Sequence, residues 1–284
     1  NSSLITISQI NDDGTGEVII DWEPANHSDY YKIYYTDDLK EEFSFLAQTN
    51  KTNYVDNFAN STRRRFYKLS NWNPTGENFS NIALGKTVYY LKRKDEINNK
   101  NWLGFYLNNS NLNDASNSLN FINNITAFTM WNSTLQRKVT CNEFSCPNFP
   151  SCTETNCNFN LQEGAGYEVN LNPHSSEFTN WSLVGTVKDK ANIMLFTNLS
   201  SSTFYGKNWI SLYANSSLED AFGLINNISY ADSVTNWNEF SQTSEGYIKN
   251  NYSSMPPYFG INFVLEPEKG YEVSVTQDSL YTQS

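Results

Sequence analysis

Four shortages narrow what this chain can do. Histidine occurs twice in 284 residues, as His27 and His174. One sits inside Asn26-His27-Ser28 and the other follows Pro173, so both read as loop residues. A Ser/His/Asp triad needs a buried, oriented imidazole, which neither setting offers. No G-x-S-x-G, phosphate-cradling glycine loop or H-E-x-x-H occurs. The expectation is a protein that is not an enzyme, with no catalytic residues, no cofactor and no metal.

Positive charge is scarce as well. Nineteen basic residues face 30 acidic ones, for a net charge of −11 and a pI near 4.7. Such a surface repels phosphate backbones and anionic lipid, so no nucleic-acid partner is expected. The one basic cluster, Arg63-Arg64-Arg65, runs straight into Phe66-Tyr67 and reads as the solvated start of a strand. No run approaches the ~18 apolar residues of a membrane span. No signal peptide is present either, so the expected product is a mature chain that follows a cleavage site.

Cysteine is limited to Cys141, Cys146, Cys152 and Cys157, spaced C-x4-C-x5-C-x4-C. Zinc sites prefer tighter knuckles separated by a long gap. In an oxidising compartment, four cysteines read as two disulfides. Three pairings are open: nested Cys141–Cys157 with Cys146–Cys152 would staple a β-ribbon, and sequential pairing would close two tight loops.

What is plentiful is aromatic and asparagine. Aromatics reach 15 %, a bias toward half-buried pleated sheets. Asparagine occurs 42 times, and thirteen copies stand in an Asn-X-Ser/Thr frame: Asn1, Asn26, Asn50, Asn60, Asn78, Asn108, Asn124, Asn132, Asn180, Asn198, Asn215, Asn227 and Asn251. Composition alone gives about eight. Their scatter predicts covalent N-linked glycans coating an extracellular or cell-surface protein.

The first 88 residues alternate with period two. Val18, Ile20 and Trp22 share one face, Tyr31, Ile33 and Tyr35 another, and Tyr67 and Leu69 point inward. Residues 43–47 and 54–55 are further strands. An Asp-Gly turn at Asp13-Gly14 explains the acidic run there better than a calcium loop does. The order of landmarks, with Trp22, then Tyr30 to Tyr35, then Tyr67-X-Leu69 and the closing Ser80-Asn81-Ile82-Ala83-Leu84-Gly85-Lys86, resembles a fibronectin type III module. The resemblance implies an immunoglobulin-like β-sandwich. It carries no Arg-Gly-Asp tripeptide.

The rest of the chain repeats itself. Lys100-Asn101-Trp102 matches Lys207-Asn208-Trp209, Leu112-Asn113-Asp114-Ala115 matches Leu218-Glu219-Asp220-Ala221, and Trp131-Asn132 matches Trp237-Asn238. Residues 159–169 match residues 263–273 in the same way. Each copy predicts one short helix, capped by Asn111 in the first and by a Ser216/Glu219 box in the second. Tyr271, Val273 and Val275 point inward in a closing hairpin whose turn Gly270 supplies. The pair is similar to a repeat of large secreted bacterial and archaeal surface proteins, which implies display rather than a reaction. Trp181-Ser182-Leu183-Val184-Gly185-Thr186-Val187 resembles the segment that opens a unit there.

The predicted architecture is mainly β: a sandwich over 1–88, a first β-rich α+β repeat with a Cys-containing insert over 89–175, and a second over 176–284. The predicted role is a structural glycoprotein of a filament, surface layer or stalk. Its main partner is copies of itself, joined at module ends or through an uncovered strand at 4–10 or 271–275. The alternative is an adhesin or carbohydrate-binding module that holds glycans or other surface proteins. Trp102 and Trp209 read as core residues. Trp72 and Trp181, in polar stretches, are the candidate sugar platforms.

Overall fold

The computed structural model describes residues 7–12 (backbone only), 17–80, 83–142, 158–188, 190–197, 206–250 and 256–283. Two units form. One comprises Asn1–Tyr89, Leu107–Asn109 and Asn180–Lys188; the other comprises Tyr90–Tyr106, Ser110–Thr179 and Asp189–Ser284. Most of both repeats lies in the second unit, while Leu107–Asn109 and Asn180–Lys188 lie in the first.

The first unit opens with β1 (Ile7–Asp12), β2 (Val18–Trp22), β3 (Tyr30–Thr36), β4 (Ser44–Thr49), β5 (Asn53–Asp56), β6 (Arg64–Asn73), β7 (Gly76–Phe79) and β8 (Leu84–Lys92). One sheet runs β1-β2-β5. A second contains β8-β6-β3-β4, with β7 paired to β6. Val18, Ile20 and Trp22 pack with Tyr31, Ile33, Tyr67 and Leu69 in one core. This is the sandwich that the alternation predicts, and β1 forms an edge of its sheet.

Arg65 departs from the expected solvated strand start. It lies two residues before Tyr67, and so shares its inward face by the period of the strand. Arg65 is buried, with Nη1 donating to Asp56 Oδ2 at 3.0 Å and Nε to Asp37 Oδ1 at 2.9 Å. Its guanidinium lies 4.5 Å from the Tyr35 ring centroid. Tyr67 Oη donates to the same Asp56 oxygen at 2.8 Å. Burial works against the arginine's charge, but the two carboxylates outweigh it and raise its pKa. Asp56 on β5 is thus tied to two side chains of β6, and the ties join the two sheets.

The second unit holds β9 (Lys100–Gly104), α1 (Ala115–Phe121), β11 (Ile125–Asn132), β12 (Arg137–Asn142) and β13 (Gly166–Leu171). The intervening β10 (Leu107–Asn108) and most of β14 (Phe178–Val187) extend the first unit's sheet in the order β10-β14-β8-β6-β3-β4. Trp181, expected in a polar loop, is buried on β14 with its ring 5.1 Å from Tyr89. Its polar neighbours Asn180 and Ser182 are the opposite face of a strand.

The second repeat follows as β15 (Asn192–Leu195), β16 (Gly206–Ser211), α2 (Ala221–Asn227), β17 (Ala231–Asn238), β18 (Thr243–Lys249), β19 (Tyr258–Gly260), β20 (Gly270–Val275) and β21 (Ser279–Thr282). Its sheet runs β16-β20-β17-β18-β19, and the first repeat's runs β9-β13-β11-β12. The two orders are the same, with one added edge strand. Tyr271, Val273 and Val275 are buried, as predicted. The proposed free edge at 271–275 is not one, because β16 and β17 flank β20 on both sides.

Helix capping also differs from expectation. Asp114 Oδ1 accepts from Asn117 N at 2.8 Å, and Asp220 Oδ1 from Gly223 N at 2.7 Å. Each helix starts at the alanine of the Leu-X-Asp-Ala match, so the aspartate takes the cap position. Ser216 Oγ instead accepts from Leu218 N at 3.2 Å, before the helix begins.

Replacing Asp56 with Ala leaves Arg65 and Tyr67 without their shared buried acceptor. The expected loss is about 3 kcal/mol from the first unit, read as an earlier first transition in calorimetry with the second unit's transition unmoved.

Candidate functional site

The two repeats meet through reciprocal contacts. Gly104 N donates to Glu268 O at 2.8 Å, and Ser211 N donates to Gly164 O at 2.7 Å. Leu103 bridges Lys269, and Ile210 bridges Ala165. Gln242 accepts from Lys100 N at 3.0 Å and donates to Lys100 O at 3.1 Å. Gln136 does the same to Lys207, at 2.8 and 3.2 Å. When residue i of one copy meets j of the other and j meets i, the relation is a local two-fold. Here both halves belong to one chain.

The backbones at this dyad are too close for side chains. A Cβ on Gly166 would lie 2.6 Å from Ile210 O, and one on Gly270 would lie 2.9 Å from Leu103 O. The role expected of Gly270 was to shape a turn; its φ is not left-handed, and it is needed for close approach instead. Gln136 and Gln242 do adopt positive φ, 49° and 57°. Their two bonds to the opposite strand hold that conformation in place.

Four indoles flank the dyad. Trp102 and Trp209 are 5.3 Å apart, Trp102 and Trp237 5.9 Å, and Trp131 and Trp209 6.0 Å. Trp102 Nε1 donates to Glu168 Oε2 and Trp209 Nε1 to Glu272 Oε2, each at 3.1 Å. Lys138 neutralises Glu168 at 2.8 Å, and Lys207 neutralises Glu272 at 2.7 Å. Trp102 and Trp209 are therefore structural, as predicted. Trp72, the other suggested sugar platform, is a half-buried residue of β6 stacked on Tyr30 at 5.2 Å.

The symmetry is broken at several positions, and at one of them the break opens space. Aligning the repeats sets Ser133 against Glu239 and Ala165 against Lys269. Lys269 Nζ pairs with the buried Glu239 at 3.1 Å. Burial pushes the Glu239 carboxyl up, and Lys269 opposes the shift. The first repeat has no such pair and instead has a cavity of about 220 Å³. Trp131, Asn132, Ser133, Ala165 and Trp209 line it, with Ile193, Met194 and Phe196 from β15 and the segment after it. Trp237 Nε1 donates to Lys100 O at 2.9 Å. Trp131 Nε1, its counterpart, is buried with no partner among the described residues, which costs about 1–3 kcal/mol.

The acceptor asparagines lie apart from one another. Asn26, Asn50, Asn60, Asn108, Asn124, Asn180, Asn215 and Asn227 are exposed, and Asn78 and Asn132 are half-buried. Asn1, Asn198 and Asn251 fall outside the described residues. So do Cys146, Cys152 and Cys157, and with them the disulfide pairing; Cys141 is buried on β12 opposite Phe128. His27 and His174 are exposed. Of the residues that build the dyad, Gln136 and Gln242 went unread. The signal was present, since each stands five residues after its tryptophan.

No protein-family model and no curated protein matches the chain. Among solved structures it is similar to the FN1–FN3 domains of chicken CNTN1, at 12 % identity over 99 % of this chain and 97 % of that one, with a TM-score of 0.21. It is also similar to a Ca2+-stabilized adhesin that helps an Antarctic bacterium bind ice, at 7 % identity over 100 % and 74 %, again with a TM-score of 0.21. Overlap of that size carries no argument about this chain, whose fold rests on its own geometry.

Two substitutions test the joint. Gly166→Ala should cost the second unit about 1–3 kcal/mol by overpacking, measured by urea unfolding. Lys269→Ala should cost about 3 kcal/mol at pH 8, because Glu239 stays buried without its cation. A raised folded pKa favours the protonated form, so the Lys269→Ala deficit should shrink as the pH falls toward 4. A deficit that does not change with pH would count against the ion pair.

Proposed function

We propose that the chain is a non-catalytic structural glycoprotein of the extracellular surface, N-glycosylated and assembled from copies of itself. The observation that supports it most is how the asparagines divide. All ten acceptor asparagines among the described residues are exposed or half-buried. Asn71, Asn99, Asn101, Asn208 and Asn236 are buried, and none stands in an acceptor frame. A glycan on any of these five would destroy packing, while the ten are placed where a glycan can reach solvent.

Assembly by strand addition suits β1, the edge of its sheet. No helix among the described residues is long and apolar enough to cross a membrane. Two disulfides among Cys141, Cys146, Cys152 and Cys157, as the sequence predicts, would fit the same oxidising compartment.

Mass spectrometry of the secreted protein before and after glycan removal should show several occupied acceptor sites, with Asn26, Asn60 and Asn227 among them. Negative-stain images should show fibres or a lattice. An unglycosylated chain with free thiols would refute the proposal, and dispersed monomers that bind sugars would favour the adhesin reading.

A further inference from the structure

We propose that the cavity between the repeats is the seat of the first sugar ring of a glycan carried by Asn132, which makes that glycan part of the joint. The inference rests on the N-glycosylation read above and goes beyond a surface coat. Asn132 lines the cavity and opens the frame Asn132-Ser133-Thr134. Its Oδ1 accepts from Leu135 N at 2.9 Å, so the turn is held by the oxygen. The Nδ2 atom has no hydrogen-bond partner among the described residues.

The second repeat supplies the contrast. Asn238 Nδ2 donates to Glu245 Oε1 at 2.6 Å, and Asn238-Glu239-Phe240 is not an acceptor frame. There the Glu239–Lys269 pair stands where Ser133 and Ala165 leave space in the first repeat. The repeat that can carry a glycan has the room, and the repeat that cannot is closed by an ion pair. One internal duplication thus shows two ways of filling the same joint.

The lining suits a sugar ring. Half-buried Trp131 offers ring surface for the C–H face of a pyranose, Trp209 lines the cavity beside it, and Gln162, Ser133 and Thr134 offer hydrogen bonds. The charged residue in the lining is Glu163, with no lysine or arginine beside it, so an anionic sugar is disfavoured. A volume of about 220 Å³ is below the ~300–1,000 Å³ of sites for drug-sized ligands, so one ring enters and the rest of the glycan leaves to solvent. Attachment joins Nδ2 to C1 of the sugar. The amide gives up one proton, and an activated glycosyl donor gives up its phosphate leaving group.

The test uses the protein secreted from a host that N-glycosylates. An amidase acting on the folded protein should release the Asn132 glycan about tenfold more slowly than those at Asn60 and Asn227, with the difference lost on unfolding. Thr134→Ala removes the acceptor frame and keeps the Asn132 turn. It should lower the second unit's melting temperature by several degrees, while Ser229→Ala, which removes the exposed Asn227 glycan, should not. Adding Ser133→Glu and Ala165→Lys to Thr134→Ala installs the other repeat's ion pair and should recover the loss. Equal release rates, or equal melting temperatures for the two variants, would overturn the seat. An unmodified Asn132 beside occupied Asn60 and Asn227 would also overturn it and leave the proposed function intact. A chain with no glycan anywhere would overturn both.

Discussion

The second unit depends on how closely two strand starts approach each other. Gly166 and Gly270 face one another across the local dyad, and a Cβ on Gly166 would sit 3.1 Å from the Gly270 Cα. Because neither has a side chain, β9 can bond to the 268–270 turn and β16 to the 164–166 turn. The four indoles then close over the contact, and the ring nitrogens of Trp102 and Trp209 hold the buried Glu168 and the half-buried Glu272. A wider separation would break the backbone bonds and leave these carboxylates wet. The cavity beside Trp131 exists because the approach is close at the dyad and the side chains next to it are small.

Much of the fold was legible because strands write themselves in period two. Val18, Ile20, Trp22, Tyr67 and Leu69 were assigned inward from alternation alone, and the strand order of the two repeats agrees with their matched segments. The misreadings came from judging residues by their neighbours. Trp181 looked like a loop residue because Asn180 and Ser182 flank it, yet alternation makes those flanks the other face. Arg65 looked solvated because it ends a basic triplet, and its position relative to Tyr67 decided otherwise. The helix caps moved for a similar reason: Ser216 with Glu219 fits a capping pattern, but Asp220 is one step closer to the first helical alanine.

The joint was less legible, and the reason is physical. Beside the indoles, contacts between repeats are made by backbone groups, two glutamines in left-handed conformation and glycines, none of which stands out by hydrophobicity. The change from Glu239 and Lys269 to Ser133 and Ala165 was visible once the copies were aligned. That two residues 30 positions apart form one ion pair, and that their replacements leave a cavity, became apparent only when the dyad set them side by side.

The reciprocal joint also bears on how the second unit withstands dilution. Two separate copies of such a module would find each other only at sufficient concentration, and dilution would part them. Linking them in one polypeptide replaces that encounter with a local one, whose effective concentration is on the order of millimolar for a short flexible tether. The paired state then no longer depends on how much protein surrounds it.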